Sequence, residues 1–158
     1  MLKIKQFVLK NKILRWLPAV LVMMVIFSLS AKTGGESKAQ SAGLARLILS
    51  FFGLSESVRD VLIVILRKGA HFSLFALLGA SVLYALFGYK IKRSRAFLIC
   101  ILICLVYAAS DELHQSLVPG RGPLIRDVVI DFSGSLSGSG ATMLIYKLKE
   151  KIKFSKEA

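Results

Sequence analysis

Four long apolar windows punctuate this sequence: Leu14 to Ser30, Val58 to Tyr89, Ala96 to Val118 and Leu124 to Tyr146. Each reaches or approaches the roughly 20 residues that a helix needs to cross about 30 Å of hydrocarbon. The pattern predicts an all-α polytopic membrane protein, a four-helix transmembrane bundle occupying the whole chain, 1–158, as a single domain. Between the first two windows lies AKTGGESKAQSAGLARLILSFFGLSESVRD, the longest stretch outside them. Its opening glycine, serine, lysine and glutamate residues read as loop. Leu44, Leu47, Ile48, Phe51 and Phe52 then recur at helical spacing before Gly53. That spacing predicts a three-turn amphipathic helix on the extracellular side, lying in the membrane interface or covering the bundle.

The second window is longer than a bilayer requires. Capped at Ser55 or Ser57 and uninterrupted to Gly88, its helix would run about 50 Å at 1.5 Å per residue. RKGAH, residues 67–71, is the expected break, because two cations and a glycine interrupt the apolar run. The span would then be Gly69 to Gly88, with Val58 to Leu66 forming a second interfacial piece. The fourth window carries DFSGSLSGSGA, residues 131–141. Gly134, Gly138 and Thr142 follow at four-residue steps, as do Ser133, Ser137 and Ala141, and such small faces let membrane helices approach closely. Gly69, Ser73, Ala76 and Ala80 offer the second window a similar face.

An apolar share of 55% exceeds the roughly 45–50% of soluble domains and supports the membrane reading. The formal net charge is +13, and its distribution matters more than its total. Lys3, Lys5, Lys10, Lys12 and Arg15 precede the first window. Lys90, Lys92, Arg93 and Arg95 separate the second from the third, and five lysines between Lys147 and Lys156 occupy a tail, 147–158. Four spans with both termini cytoplasmic place all three clusters inside, as the positive-inside rule requires, against anionic lipid. No nucleic-acid module can be read between such spans, so nucleic acid is excluded as a partner. The N-terminus also has the basic and apolar segments and small residues of a signal peptide, but retention of this helix is the preferred reading. Trp16 and Tyr146 read as cytoplasmic-side anchors. Cys100 and Cys104 fit neither a disulfide framework nor a zinc motif, and read as packing residues.

The remaining ionisable groups gather on the other side of this topology. Arg67, Lys68 and His71 begin one span; Asp111, Glu112, His114 and Gln115 end the next; Arg126, Asp127 and Asp131 begin the last, with Arg121 at the tip of the PGRGP turn. Cys100, Cys104, Tyr107, Asp111 and His114 form one helical stripe, in which Tyr107 lies one turn from Asp111; Asp127 shares a face with Asp131, and Arg67 with His71. Charge within hydrocarbon costs about 2.5–3.5 kcal/mol per group on insertion scales, so these groups are expected to face one another or a wet, outward-open pocket. Ser28 and Ser30 end the first window on the same side and offer hydroxyls to the pocket, although capping or loop entry is the plainer role.

FSLSAKTGG, RKGAHFSLFALLG and SDELHQSLVPGRGPLIRDVVIDFSGSLSG resemble the VanZ-like family of small bacterial membrane proteins, over roughly residues 14–146. Glu112, Gln115, Asp127 and Gly134 match positions shared with the founding member; His71, His114 and Arg121 match a larger subgroup with DExHQ and PxR. Asp131 stands where the founding member has asparagine. The resemblance implies a multi-pass protein of the bacterial cell membrane and envelope. It also implies a link to glycopeptide susceptibility, since the founding member is associated with low-level teicoplanin resistance.

Three functions suit this constellation. The favoured one is a non-enzymatic pocket for an anionic lipid-linked head group, from a membrane lipid or a cell-wall precursor. Arg67, Lys68, Arg121 and Arg126 would meet phosphate or carboxylate, with Asp111, Glu112 and Asp127 orienting them; no cofactor or metal is assigned. The second is a membrane-embedded hydrolase or transferase on a lipid head group. His71 or His114 would act there as base beside Asp111, Glu112 and Asp131, or these groups would hold a divalent metal. No H-E-x-x-H, Walker or G-x-S-x-G motif accompanies them. The third is a structural ion-pair network without ligand, pairing Arg126 with Glu112 and His71 or Arg67 with Asp111. Transport has thinner support, because the inner half of each window lacks matching polar groups.

Overall fold

The computed structural model describes residues 12–122 and 124–157; the Lys3, Lys5 and Lys10 cluster and Pro123 of the turn lie outside them. Among the described residues five α-helices follow one another: α1 (Leu17–Ser30), α2 (Gly34–Phe52), α3 (Arg59–Leu86), α4 (Arg93–Ser116) and α5 (Ile125–Glu157). A single 3-10 turn precedes α1 and another precedes α3. Among the described residues three segments, Glu56–Leu86, Arg93–Ser116 and Ile125–Ser155, are long and apolar enough to cross a membrane. A fourth span is reached only if the Leu14–Ser30 and Gly34–Phe52 helices, bent by 104° at their junction, count as one broken span.

Pro18 sits in the first turn of α1, where its missing N–H costs nothing. The segment AKTGGESKAQ is helical from Gly34 onward, not a loop. Thr33 and Glu36 form a reciprocal capping box, with Glu36 Oε2 2.8 Å from the Thr33 backbone N and Thr33 Oγ1 3.3 Å from Glu36 N. That T-x-x-E signature is visible in the sequence and outweighs the two glycines behind it. The helix ends at Gly53, whose φ of 62° is the left-handed conformation that closes a helix without Cβ strain. Ala45 and Leu49 are its buried residues, packed with α3. The stripe that marked it as amphipathic faces away: Leu47 is 67% exposed and Phe51 83%.

The helix α3 touches every other helix. It runs without interruption through RKGAH, so neither the break at residues 67–71 nor a separate Val58–Leu66 piece exists. One helical glycine costs only about 1 kcal/mol, and Lys68 and His71 find partners on α5, so nothing forces the chain to turn. The tail 147–158 is likewise no separate segment, since α5 continues to Glu157.

The helices α3 and α5 run parallel at near backbone contact. A β-carbon on Gly134 or Gly138 would collide with the carbonyl of Phe72 or Ala76, and one on Gly79 with that of Ser135. The contact face of α3 is therefore the backbone at Phe72, Ala76 and Gly79; Gly69 meets nothing, and Ser73 is exposed. Ala76 belongs to this face as expected, whereas Phe72 and Gly79 stand one position before the expected Ser73 and Ala80, because the register is set by α5. Serines and a threonine of α5 donate to carbonyls one turn back, as from Ser139 to Ser135 (2.8 Å) and Thr142 to Gly138 (3.0 Å), which satisfies the hydroxyls within the helix. Cys100 and Cys104 are buried in the core, and Cys100 Sγ lies 3.3 Å from the Gly79 carbonyl. The small residue at 79 thus serves two helix contacts.

Basic residues from separate parts of the chain meet at one end of the bundle. Arg15 donates to the Tyr84 carbonyl (2.7 Å) and packs its stem against Gly88; Trp16 donates to Tyr89 Oη (3.1 Å), Tyr146 stands edge-on to Phe87, and Arg93 pairs with Glu150. This joins the start of α1, the α3–α4 connection and the end of α5. The polar groups around Asp111 lie at the opposite helix ends.

Two outcomes follow from this packing. Gly138→Leu should destabilise the fold by about 1–3 kcal/mol or more through overpacking, whereas Gly140→Ala, which meets only open space, should be neutral or gain up to about 1 kcal/mol; thermal unfolding in detergent reads both. Hydrogen bonds from Thr33 first, then the charge of Lys32, lower the Glu36 pKa from its ordinary value. The capping box should therefore hold above the unfolded carboxyl's pKa and weaken as pH falls through the lowered one, seen as faster amide exchange at Glu36 and Ser37.

Candidate functional site

The site begins where two chain reversals meet. Gly34, at the α1–α2 bend, donates its N–H to the Pro119 carbonyl (3.1 Å) and lies so close to Gly120 that a side chain at 34 would overlap the Gly120 carbonyl. Gly120 has a φ of 74°, which only glycine adopts without strain. This docking fixes Arg121 over the ends of α1, α3 and α4.

A chain of hydrogen bonds descends from Arg121. Its Nη1 donates to Gln115 Oε1 (2.8 Å), Gln115 Nε2 donates to Asp111 Oδ2 (2.7 Å), and Ser30 Oγ donates to the same oxygen (2.9 Å). Ser30, Asp111 and Gln115 are all buried, Asp111 being 4% exposed. Burial first, and the neighbouring charge of Arg67 second, draw the Arg121 pKa below its ordinary value. Ser30 is thus a member of the site, not a helix cap, whereas Ser28 donates to Met24 of its own helix. No spacing links Ser30 to Asp111, which lies 81 residues away.

On the other side of α3, Lys68 pairs with Asp127 and His71 Nδ1 stands 3.5 Å from Asp131 Oδ1. Glu112 Oε1 accepts from Leu124 N (2.5 Å) at the entry to α5. These pairings replace the expected ones. Arg126 does not reach Glu112 but is exposed, and neither Arg67 nor His71 forms the ion pair with Asp111. Tyr107 does not bond Asp111; its hydroxyl donates to the Met23 carbonyl (2.7 Å). His114 is set apart from His71, its ring stacked on Phe27 at 4.5 Å. The buried stripe of α4 passes through Cys100, Cys104, Ala108, Asp111 and Gln115, so Tyr107 and His114 fall at its margin. Asp127 and Asp131 do share a face, and both border a small polar space with Lys68 and His71.

Two larger cavities flank Arg67. One, of about 190 Å³, lies beneath α2 and between α1 and α3, with Arg67, His71 and Arg121 at its polar wall and Leu29, Leu44 and Phe75 among its apolar ones. The other, about 700 Å³, gathers Lys38, Arg67, Lys68 and Arg126 with Asp60 above Ile63, Val64 and Leu124. Lys38 reaches this groove because its segment is helix rather than the expected loop. The available chemistry is anion recognition along the Arg67 side and carboxylate-imidazole chemistry at His71, Asp111 and Asp131.

A family model described as VanZ/LLP1 matches residues 15–147, most of the chain and all of the site. No curated protein and no solved structure matches.

Ser30→Ala and Gln115→Ala each remove a donor from the buried Asp111 oxygen, and each should cost about 1.5–3 kcal/mol of stability. Because both act on one atom, the double variant should depart from additivity by at least about 0.5 kcal/mol. Unfolding of the four proteins in mixed micelles measures this.

Proposed function

The chain belongs to the VanZ/LLP1 family, and we propose that it is a four-span envelope protein holding an anionic lipid-linked head group at the outer membrane surface. The observation that carries the reading is the placement of Arg67, shared by an amphiphilic cavity and by a groove with three further cations and one acid. Phosphate or carboxylate is the chemistry this arrangement recognises, with guanidinium forks giving bidentate contacts. Apolar walls continue from the cations, as an acyl or polyprenyl chain requires. The smaller cavity is below the 300–1,000 Å³ of ordinary ligand pockets, so it suits a head group and leaves the tail in the bilayer.

Orientation is supported by the basic end of the bundle. Lys12, Arg15, the Lys90–Arg95 cluster and the lysines late in α5 share that end, and the positive-inside rule assigns it to the cytoplasm. The Arg121 end then faces outward. In this arrangement the seventeen-residue Leu14–Ser30 segment spans, at the lower limit of length, and α2, bent by 104° from it, lies in the interface with Leu47 and Phe51 toward lipid. An ion-pair network alone explains the Lys68–Asp127 pair, but it leaves Arg67, Lys38 and Arg126 crowded in a groove whose one acid is Asp60. If the head group belongs to a cell-wall precursor, holding it would alter glycopeptide access to that precursor.

Native mass spectrometry of the detergent-extracted protein tests the reading. Phosphatidylglycerol should bind more tightly than phosphatidylcholine, and Arg67→Ala should weaken phosphatidylglycerol binding about tenfold, equivalent to about 1.4 kcal/mol. Arg95→Ala, at the basic end, should leave the Arg67-dependent part of this binding unchanged. Equal binding of the two lipids, or an unaffected Arg67→Ala protein, would refute the proposal.

A further inference from the structure

His71 of α3, Asp111 of α4 and Asp131 of α5 converge, and one ligand atom from each lies within 4.8 Å of the others. Among the described residues these three are the group of histidine, cysteine and acid side chains so arranged. Acids gathered in a fold are common without a ligand, so a second feature matters more. Asp131 is 1% exposed, and neither of its carboxylate oxygens receives a hydrogen bond. His71 Nδ1, at 3.5 Å, is beyond ordinary N–H···O range. Lys68, the nearby cation, is engaged with Asp127. A buried carboxylate without hydrogen bonds is a ligand atom awaiting an electrophile.

We propose that His71, Asp111 and Asp131 bind one divalent cation of the zinc class. Zinc ligands lie about 2.0–2.2 Å from the metal, which puts neighbouring ligand atoms of a tetrahedron about 3.4 Å apart. The His71 to Asp131 separation, 3.5 Å, is close to that value. The remaining separations, none above 4.8 Å, close with side-chain adjustments of about 1 Å. Two carboxylates and a neutral imidazole balance a dication, so the ion removes the charge that burial makes costly. One nitrogen with two oxygens suits zinc better than magnesium or calcium, which prefer oxygen throughout.

The surroundings fit the same assignment. Ser30 and Gln115 both bond Oδ2 of Asp111, the outer-shell orientation that ligating carboxylates receive, while Oδ1 stays available. Three protein ligands leave a fourth position, the pattern of zinc sites that bind an exogenous group. His71 also lines the cavity beneath α2, which gives that position a route to the outside. The metal site needs no lipid and stands whether or not a head group binds at Arg67.

The test uses Zn²⁺ alone on chelator-treated protein in detergent. One ion per chain is expected by plasma mass spectrometry after desalting, with His71→Gln and Asp131→Asn weakening it about hundredfold or more and Ser30→Ala about tenfold, in line with the effect of outer-shell partners. Glu150→Gln, at the basic end, should bind as the parent does. Co²⁺ in place of Zn²⁺ should give visible ligand-field bands that disappear in Asp131→Asn. Circular dichroism melts identify any variant that fails to fold, and Ser30→Ala with the Co²⁺ spectrum then carries the decision. Substoichiometric zinc in the parent, or parent-like binding in His71→Gln and Asp131→Asn, would overturn the site.

Discussion

A polar group carried into an apolar bundle must find its partner within the protein, because no water follows it there. Four acids of this chain show how that demand organises the structure, three by meeting it and Asp131 by meeting it only in part. Asp111 takes Ser30 and Gln115, Glu112 takes the backbone of Leu124, Asp127 takes Lys68, and Asp131 faces His71. Apart from Gln115, each of these partners comes from another element. The acids therefore tie α1, α3, α4 and the entry to α5 together at one end, where apolar side chains alone would allow many rotations of equal energy.

The same ties depend on how closely α3 and α5 approach. Glycines at 79, 134 and 138 bring the two backbones into contact, and the parallel register that results sets Lys68 beside Asp127 and His71 beside Asp131. Bulk at any of these glycines would push the two pairs apart before it affected a single charged residue. Close packing and site geometry are thus one constraint in two places. Hydroxyls of the serine-rich stretch turn back onto their own helix and leave the contact face smooth.

Above this frame, the α1–α2 bend and the PGRGP turn lock through Gly34, Pro119 and Gly120. The lock seats Arg121 over Gln115 and lays α2 across a cavity that reaches His71 and Arg67. Cations for an anion, a roof presenting lipid-facing side chains and an unsatisfied buried carboxylate are consequently adjacent. The proposed head-group and metal sites use neighbouring but separate atoms, so either can exist alone.

Sequence alone determined the all-helical class, the apolar windows and the clustering of basic residues away from the DELHQ and RKGAH motifs, because periodicity, length and charge placement are local properties. It also contained the Thr33–Glu36 capping box, which the glycine pair beside it obscured. Helix continuity through residues 67–71 was not readable, since a glycine and two cations break a helix only if their partners are missing, and those partners sit on α5. Pairing likewise belonged to the tertiary structure. Arg126 and Glu112 look complementary in the sequence, yet Arg126 on α5 is directed to an exposed groove and Glu112 on α4 to the Leu124 backbone N–H. Ser30 joined the site, and His114 left the His71 cluster, for the same reason: which face of a helix meets its neighbour is fixed by backbone contact between helices, and no segment carries that information by itself.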